Sequence, residues 1–335
     1  MCNFLKIVLL AVLSLAITGT TLKAQTLITI PKGSSSKQIS KLLVKNKIIE
    51  SALNYRLYLK AYRLETKLQA GTFVFEDRSY SFAEISDILT SKDVDNQFTK
   101  VLIQEGLTLG EIAEKLESAK IIQSATDYIN YLNNKASAEL QPEFSYLKDL
   151  PNRNFEGYLF PETYHFRLGT SLADITRTFL KQFDAKIYQA WLRHKGPKPY
   201  SFHQTLSLAA IVEKEALYEA ELPIIASVYH NRLKTNMKLE ADPTVAYALG
   251  KPRKKRIFYK DLKYPSPYNT YYSKGIPPGP IAAVGEKAFL ATLSPSQTDY
   301  LFFVADGTGK HNFSKTYAQH LVYQKAYHTL IRNKK

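Results

Sequence analysis

Two carboxylates stand two residues apart in Ile211-Val-Glu-Lys-Glu215, and carboxylates are common general acids and bases. The segment reads as a helix whose other face is apolar. Positions two apart on a helix diverge by roughly 200°. Glu213 and Glu215 therefore cannot both point at one substrate. One would face a groove and the other would be structural or solvated, so a two-carboxylate glycosidase site cannot be made from this pair alone. A charged helix face without chemistry is the plain alternative.

Three further segments carry groups that bind or orient. Asn154-Phe-Glu-Gly-Tyr-Leu-Phe-Pro-Glu-Thr-Tyr164 is dense in aromatics and holds Glu156, Tyr158 and Glu162. Its Gly and Pro indicate a constrained backbone. Flat faces beside hydrogen-bonding groups suit a carbohydrate groove, and core packing suits the segment equally. Glu240-Ala-Asp-Pro-Thr244 reads as a turn or helix start, where Asp242 or Thr244 would cap by default. Tyr268-Asn-Thr-Tyr271, with Asn269 and Tyr271, precedes Gly275-Ile-Pro-Pro-Gly-Pro-Ile281, a rigid surface loop of a kind that lines sites or simply connects. Other chemistries lack their signatures. There is no His-Glu-x-x-His, no Gly-x-Ser-x-Gly, and no ligand spacing among the seven His. No metal and no cofactor is expected.

The elements that must position these groups form two halves. In the first, Ile30-Pro-Lys-Gly33 and Ile103-Gln-Glu-Gly106 open two similar stretches at an offset of 73. At that offset Ile39 meets Ile112, Leu43 meets Leu116, Lys47-Ile-Ile49 meets Lys120-Ile-Ile122, and Tyr55 meets Tyr128. Each copy reads as a strand, a Gly turn and an amphipathic helix, then a second helix capped by Ser51 or Ser124. The strand–helix–helix order is similar to the LysM glycan-binding module, and a packing unit without ligands reads the same way. Residues 70–75 read as a strand and Tyr80–Ser91 as a helix. In the second half, helices are expected over Ser171–His194, Phe202–Glu219 and Leu222–Lys234, with Pro223 in a first turn. A hairpin joins Tyr300–Val304 to His311–Phe313. The expected fold is α+β, with a LysM-like region over 26–150 and a larger mixed α+β domain over 151–335.

The 335 residues suffice for two domains, and 45% hydrophobic with 22% charged residues is a globular composition. With 45 basic and 30 acidic residues the net charge is +15, which admits nucleic acid, anionic lipid or an acidic polymer as partner. No zinc-finger spacing or RNA-binding aromatic signature accompanies the charge. The single cysteine, Cys2, excludes an intrachain disulfide framework. Residues 1–25 hold the apolar run Ile7–Leu22, bounded by Lys6 and Lys23, which reads as a signal segment or a membrane anchor. Either reading exports the remainder and removes nucleic acid as a partner.

Together the motifs resemble those of the MltG (YceG-like) family, the endolytic murein transglycosylases. The likeness runs from about residue 26 to 331. It rests on Ile211–Glu215, Glu156–Thr163, Asn231-Arg-Leu233, Asp242–Val245, Tyr268–Tyr271, Gly275–Gly279 and Phe303-Val-Ala-Asp-Gly307. The loop Lys251–Arg256 is more basic than the family pattern suggests. The resemblance implies Glu215 as the catalytic acid/base. Glu156, Tyr158, Glu162, Asn231, Asp242, Thr244, Asn269 and Tyr271 are then candidates for binding substrate. It implies cleavage between MurNAc and GlcNAc without water, giving 1,6-anhydro ends, on nascent strands as a terminator of elongation. It also implies a single-pass inner-membrane protein with its catalytic part in the periplasm, meeting peptidoglycan strands and peptidoglycan synthases or divisome proteins. A peptidoglycan hydrolase using Asp242 or Glu156 as a second acid is the first rival. A wall-binding or division scaffold without catalysis is the second.

Overall fold

The structure, a computed structural model, describes residues 25–76, 78–91, 98–167, 169–254 and 256–333. The apolar run Ile7–Leu22 lies outside them. No described helix is long and apolar enough to cross a membrane. The chain is α+β and divides into two compact units, residues 1–97 and 98–335.

The first unit is built from β1 (Gln25–Ile30), α1 (Ser36–Lys45), α2 (Ala52–Ala61), β2 (Gly71–Glu76) and α3 (Phe82–Thr90). Ser35 caps α1 in a capping box with Gln38, Ser51 caps α2, and Ser81 caps α3 with Glu84. β1 and β2 pair antiparallel with Ile28 opposite Phe73. These two residues join Leu43, Tyr55, Leu59 and Ile85 in a closed core.

The second unit opens with β3 (Phe98–Leu102), α4 (Leu109–Ser118) and α5 (Ala125–Tyr131). Then come β4 (Thr163–Arg167), antiparallel to β3, and α6 (Leu172–Phe183). The duplication is therefore longer than the sequence repeat, a β-α-α-β-α unit present twice. At offset 73 both helix starts and both serine or threonine caps coincide. So do the left-handed lysines, Lys47 at φ 59° and Lys120 at φ 57°. Deeper in, the Tyr55 hydroxyl meets Ser86 on α3 at 3.2 Å, and that of Tyr128 meets Thr176 on α6 at 3.1 Å. The return strand and third helix escape a fixed-offset comparison because residues 132–154 intervene in the second copy. They form a π-helical turn, a short helix and two 3-10 turns. The boundary expected at 150/151 thus falls inside the larger unit, since β3 finds its partner strand beyond it.

The rest of the second unit supplies α7 (Phe202–Glu215), α8 (Leu222–Lys234), α9 (Asp242–Ala248) and α10 (Glu286–Leu293). It closes with the hairpin β5 (Phe302–Ala305) and β6 (His311–Ser314), and α11 (Tyr317–Asn333). Helix α7 ends at Glu215, short of the expected Glu219. Ala216 is already extended, at φ −88° and ψ 131°. The apolar pattern that buries the helix stops at Val212, and Leu217 and Tyr218 are exposed, so no further buried face sustains the helix.

Between Glu156 and Tyr158, Gly157 takes φ +80°, and a Cβ built there would stand 2.4 Å from Pro280 Cβ and 3.2 Å from the Ala282 carbonyl. Only glycine tolerates both the backbone angle and the approach. Gly157→Ala is expected to cost about 2–4 kcal/mol, from left-handed strain plus overpacking, read as a lowered urea midpoint with unchanged slope.

Candidate functional site

Glu213, Lys214 and Glu215 close α7, and each side chain leaves the helix in its own direction. The Glu213 carboxylate accepts from the Gly285 N–H at 2.9 Å, just ahead of α10. Burial raises its pKa, and the neighbouring Glu105 adds to the rise. Lys214 Nζ donates to the Gly106 carbonyl at 2.9 Å, in the turn between β3 and α4. Glu215 faces α8, where the Tyr229 hydroxyl donates to its Oε1 at 3.2 Å. The helical divergence expected from the spacing is what separates the two acids.

Glu215 is half-buried, and its carboxyl pKa is pushed up to about 7. Desolvation is the largest cause and the negative charge of Asp242 the next; the Tyr229 hydroxyl and the Arg232 charge pull it back. The helix end acts in the same sense as burial. Glu215 is the last residue of a 14-residue helix, where the unsatisfied carbonyls gather partial negative charge.

Asp242, exposed at the first turn of α9, accepts from the Tyr271 hydroxyl at 2.7 Å. Its position is set from behind. The Thr270 hydroxyl accepts from the Ala241 N–H at 2.9 Å and shares a hydrogen bond with the buried Thr244 hydroxyl at 2.8 Å. Neither Asp242 nor Thr244 caps α9; Thr244 Oγ1 donates back to the Ala241 carbonyl. Asn269 is fully buried, holding the Leu262 and Tyr264 carbonyls and accepting from the Tyr271 N–H. On α8, Asn231 donates to the Thr298 and Tyr300 carbonyls. Arg232 donates to the Leu301 carbonyl at 2.7 Å and the Leu239 carbonyl at 2.8 Å. Glu215, Asp242 and Tyr271 are thus brought together, while Asn231, Thr244 and Asn269 stand behind them as supports.

Glu156, Tyr158 and Glu162 lie elsewhere. Glu156 is buried, with one oxygen accepting from the Leu109 N–H at the start of α4 and the other from the Tyr247 hydroxyl on α9. Tyr158 is buried and donates to His203 Nδ1, whose Nε2 donates to the Pro278 carbonyl and so fixes the Gly275–Ile281 loop. Glu162 is exposed and accepts from the N–H of Thr163. A cavity of about 400 Å³ opens beside α4, lined by Glu111, Glu114, Lys251, Pro252, Arg253 and Lys254, with no residue of the Glu215 group in its wall. Among the described residues no cluster of His, Cys, Asp and Glu has the makings of a metal site.

Tyr229 lies outside every motif, whereas Arg232 and Thr270 sit inside the Asn231–Leu233 and Tyr268–Tyr271 motifs without being among the candidate site residues. A faint signal existed for two of them. Tyr229 and Arg232 are three apart, hence on one face of α8, and an arginine on the buried side of a helix needs a partner. Two exposed tyrosines, Tyr218 and Tyr272, follow Glu215 and Tyr271 closely in the chain, and the Lys310 ammonium lies over the Tyr218 ring, 5.7 Å from its centroid.

Burial pushes the Glu156 pKa up to about 8. A raised carboxyl pKa favours the protonated folded state, so stability falls as pH rises from about 4.5 to 8. The slope approaches roughly 1.4 kcal/mol per pH unit for one such group. Glu156→Gln is expected to flatten this part of the curve in urea titrations at pH 5, 6.5 and 8; an unchanged slope would show that Glu156 is not the group responsible.

Residues 28–326 match the model of the YceG-like family. An endolytic murein transglycosylase of Bacillus subtilis (strain 168) is 38% identical over 305 residues, covering 88% of this chain and 82% of that protein. The endolytic murein transglycosylase of Streptococcus pneumoniae serotype 2 (strain D39) is 28% identical over 317 residues, covering 87% of this chain and 56% of the relative. The crystal structure of a YceG-like protein from Listeria monocytogenes superposes with a TM-score of 0.60 at 33% identity, over 90% of this chain and 99% of that one. The chain belongs to the YceG-like family.

Proposed function

We propose that this protein is an endolytic murein transglycosylase that cuts peptidoglycan strands between MurNAc and GlcNAc, with Glu215 as its acid and base. The carrying observation is a half-buried glutamic acid whose pKa is raised to about 7 at the edge of α7. A group poised near neutral pH gives and takes a proton with similar ease. In the first step protonated Glu215 gives its proton to the glycosidic oxygen as the bond to MurNAc C1 breaks. In the second the Glu215 carboxylate takes the proton of the MurNAc C6 hydroxyl, whose oxygen bonds to C1. The ring closes as a 1,6-anhydro end, the proton count balances, and no water is consumed. The nucleophile belongs to the substrate, so one carboxyl suffices.

In this reading Asp242 keeps Glu215 protonated through its negative charge, and it stabilises positive charge developing at C1. Tyr229 steadies the carboxylate form that the second step requires. The names of the relatives support the substrate and reaction class. The apolar run Ile7–Leu22, read as a retained anchor, would hold the enzyme at the membrane where new strands are made, beside peptidoglycan synthases or divisome proteins. A strand terminator would work there. The LysM-like reading of the duplicated unit would add glycan binding.

The closeness of Asp242 to Glu215 favours one second reading, hydrolysis with Asp242 as partner carboxylate. Glu156 serves that reading less well, because both its oxygens are engaged in the interior. Digestion of purified sacculi followed by mass spectrometry decides: anhydro ends for transglycosylation, ends heavier by one water for hydrolysis.

Glu215→Gln is expected to abolish cleavage, a loss of at least about 10³-fold, with the fold and strand binding retained. Strand binding without cleavage in the wild type would instead leave a scaffold. The pH profile gives a second check. Activity should fall above about pH 7, as Glu215 loses the proton it must donate. Asp242→Asn should move that falling limb to lower pH and Tyr229→Phe to higher pH, and a limb that both leave in place would remove Glu215 as the titrating acid.

A further inference from the structure

The two copies of the duplicated unit share a backbone but not a surface. Residues 31–64, spanning α1 and α2, carry eight bases against one acid, Glu50, a net charge of +7. The equivalent residues 104–137, spanning α4 and α5, carry three bases against five acids, a net charge of −2. Caps, left-handed lysines and buried positions coincide, so the backbone demands neither pattern.

The contrast lies on outward stripes. On α2, Leu53, Arg56, Leu57 and Lys60 fall at i, i+3, i+4 and i+7, one face of the helix. Leu53 is 62% exposed and Leu57 58%. Their counterparts in the second copy are Thr126 and Asn130. On α1, which packs on α2, Lys37, Lys41, Val44 and Lys45 form a second exposed stripe. Lys41 and Val44 are replaced in the second copy by Glu114 and Glu117.

Exposed leucines set among lysines match the headgroup layer of an anionic bilayer, which takes the bases by charge and shallow apolar side chains by partition. A glycan strand offers no acyl boundary for leucine. Position in the chain points the same way. β1 begins at Gln25, three residues after Leu22 ends the apolar run, and three extended residues span at most about 10 Å. A run held in a membrane therefore delivers this unit to the bilayer surface. We propose that the α1–α2 face of the first unit docks on anionic lipid headgroups.

The test uses the full-length chain reconstituted in vesicles of phosphatidylcholine with or without phosphatidylglycerol. Cys2 is replaced by serine, and a polarity-sensitive fluorophore is attached at position 57 or at the matching position 130. An apolar shift is expected at 57 alone, and only with phosphatidylglycerol. The chain from Ala24 to Lys335, which retains both units, should sediment with the anionic vesicles. Its partitioning should fall about tenfold in Leu53→Ser with Leu57→Ser, in Lys41→Glu with Lys45→Glu, and in high salt. All four positions are exposed, and an unchanged circular dichroism spectrum certifies the fold. Equal binding to neutral vesicles, equal signals at 57 and 130, or variants that bind like the wild type would overturn the proposal. So would loss of binding to purified sacculi in the variants without any vesicle binding, which would assign the face to wall polymer. None of these outcomes depends on Glu215 or on cleavage.

Discussion

The constraint on which the second unit turns is the place of one carboxyl group: at the end of a buried helix, short of water on one side and open to it on the other. Fully dry, Glu215 would hold its proton too tightly to act as a base; fully wet, it would lose the proton near its ordinary value. Helix α7 sets the compromise. Its body is buried from Thr205 to Val212, and it stops where the chain reaches the surface. The two residues before Glu215 hold that end in place. Glu213 ties it to the start of α10, and Lys214 ties it to the turn of the second duplicated copy. A Glu-Lys-Glu run is therefore two anchors and one free acid.

The opposite wall is held by a different device. Arg232 has too many donors for one acceptor, and it distributes them over the Leu301, Lys238 and Leu239 carbonyls and the Glu240 carboxylate. One guanidinium thereby joins α8, the hairpin strand and the segment that leads into Asp242. Thr244 and Thr270 complete the bracket with buried hydroxyls. The charge of Arg232 also restrains the rise in the Glu215 pKa, so the brace and the electrostatics of the site are set by one side chain.

Much of this architecture was legible in the sequence because it is locally encoded. Ser51 and Ser124 cap the second helices as their spacing indicated, and Leu222–Lys234 begins and ends where Pro223 and the apolar period place it. The offset-73 repeat persists down to matching left-handed lysines. What escaped is non-local. The return strand β4 and helix α6 sit beyond an inserted segment, so no fixed offset finds them. Helix α7 reads on to Glu219 in propensity and stops for want of a buried face. The motif residues divide by a criterion that sequence does not carry, namely which way a side chain points. Asn231, Thr244 and Asn269 turn inward to backbone partners, whereas Asp242 and Tyr271 turn toward Glu215. Tyr229 was hidden among apolar helix residues, since its ring packs like its neighbours and only its hydroxyl matters to the site.

Duplication explains why one backbone can serve two ends. Both copies satisfy the same internal demands, a capped helix pair under a two-stranded ribbon with a tyrosine hydroxyl bonded across the core. These demands use buried positions and caps and leave the outward stripes unconstrained. In the second copy the α4 stripe became acidic and the α5 stripe uncharged, and its β3–α4 turn became the seat of Lys214. In the first they became basic and apolar. Surface charge changes without refolding because exposed substitutions cost little. A duplicated unit can therefore diverge in what it touches while its core stays the same.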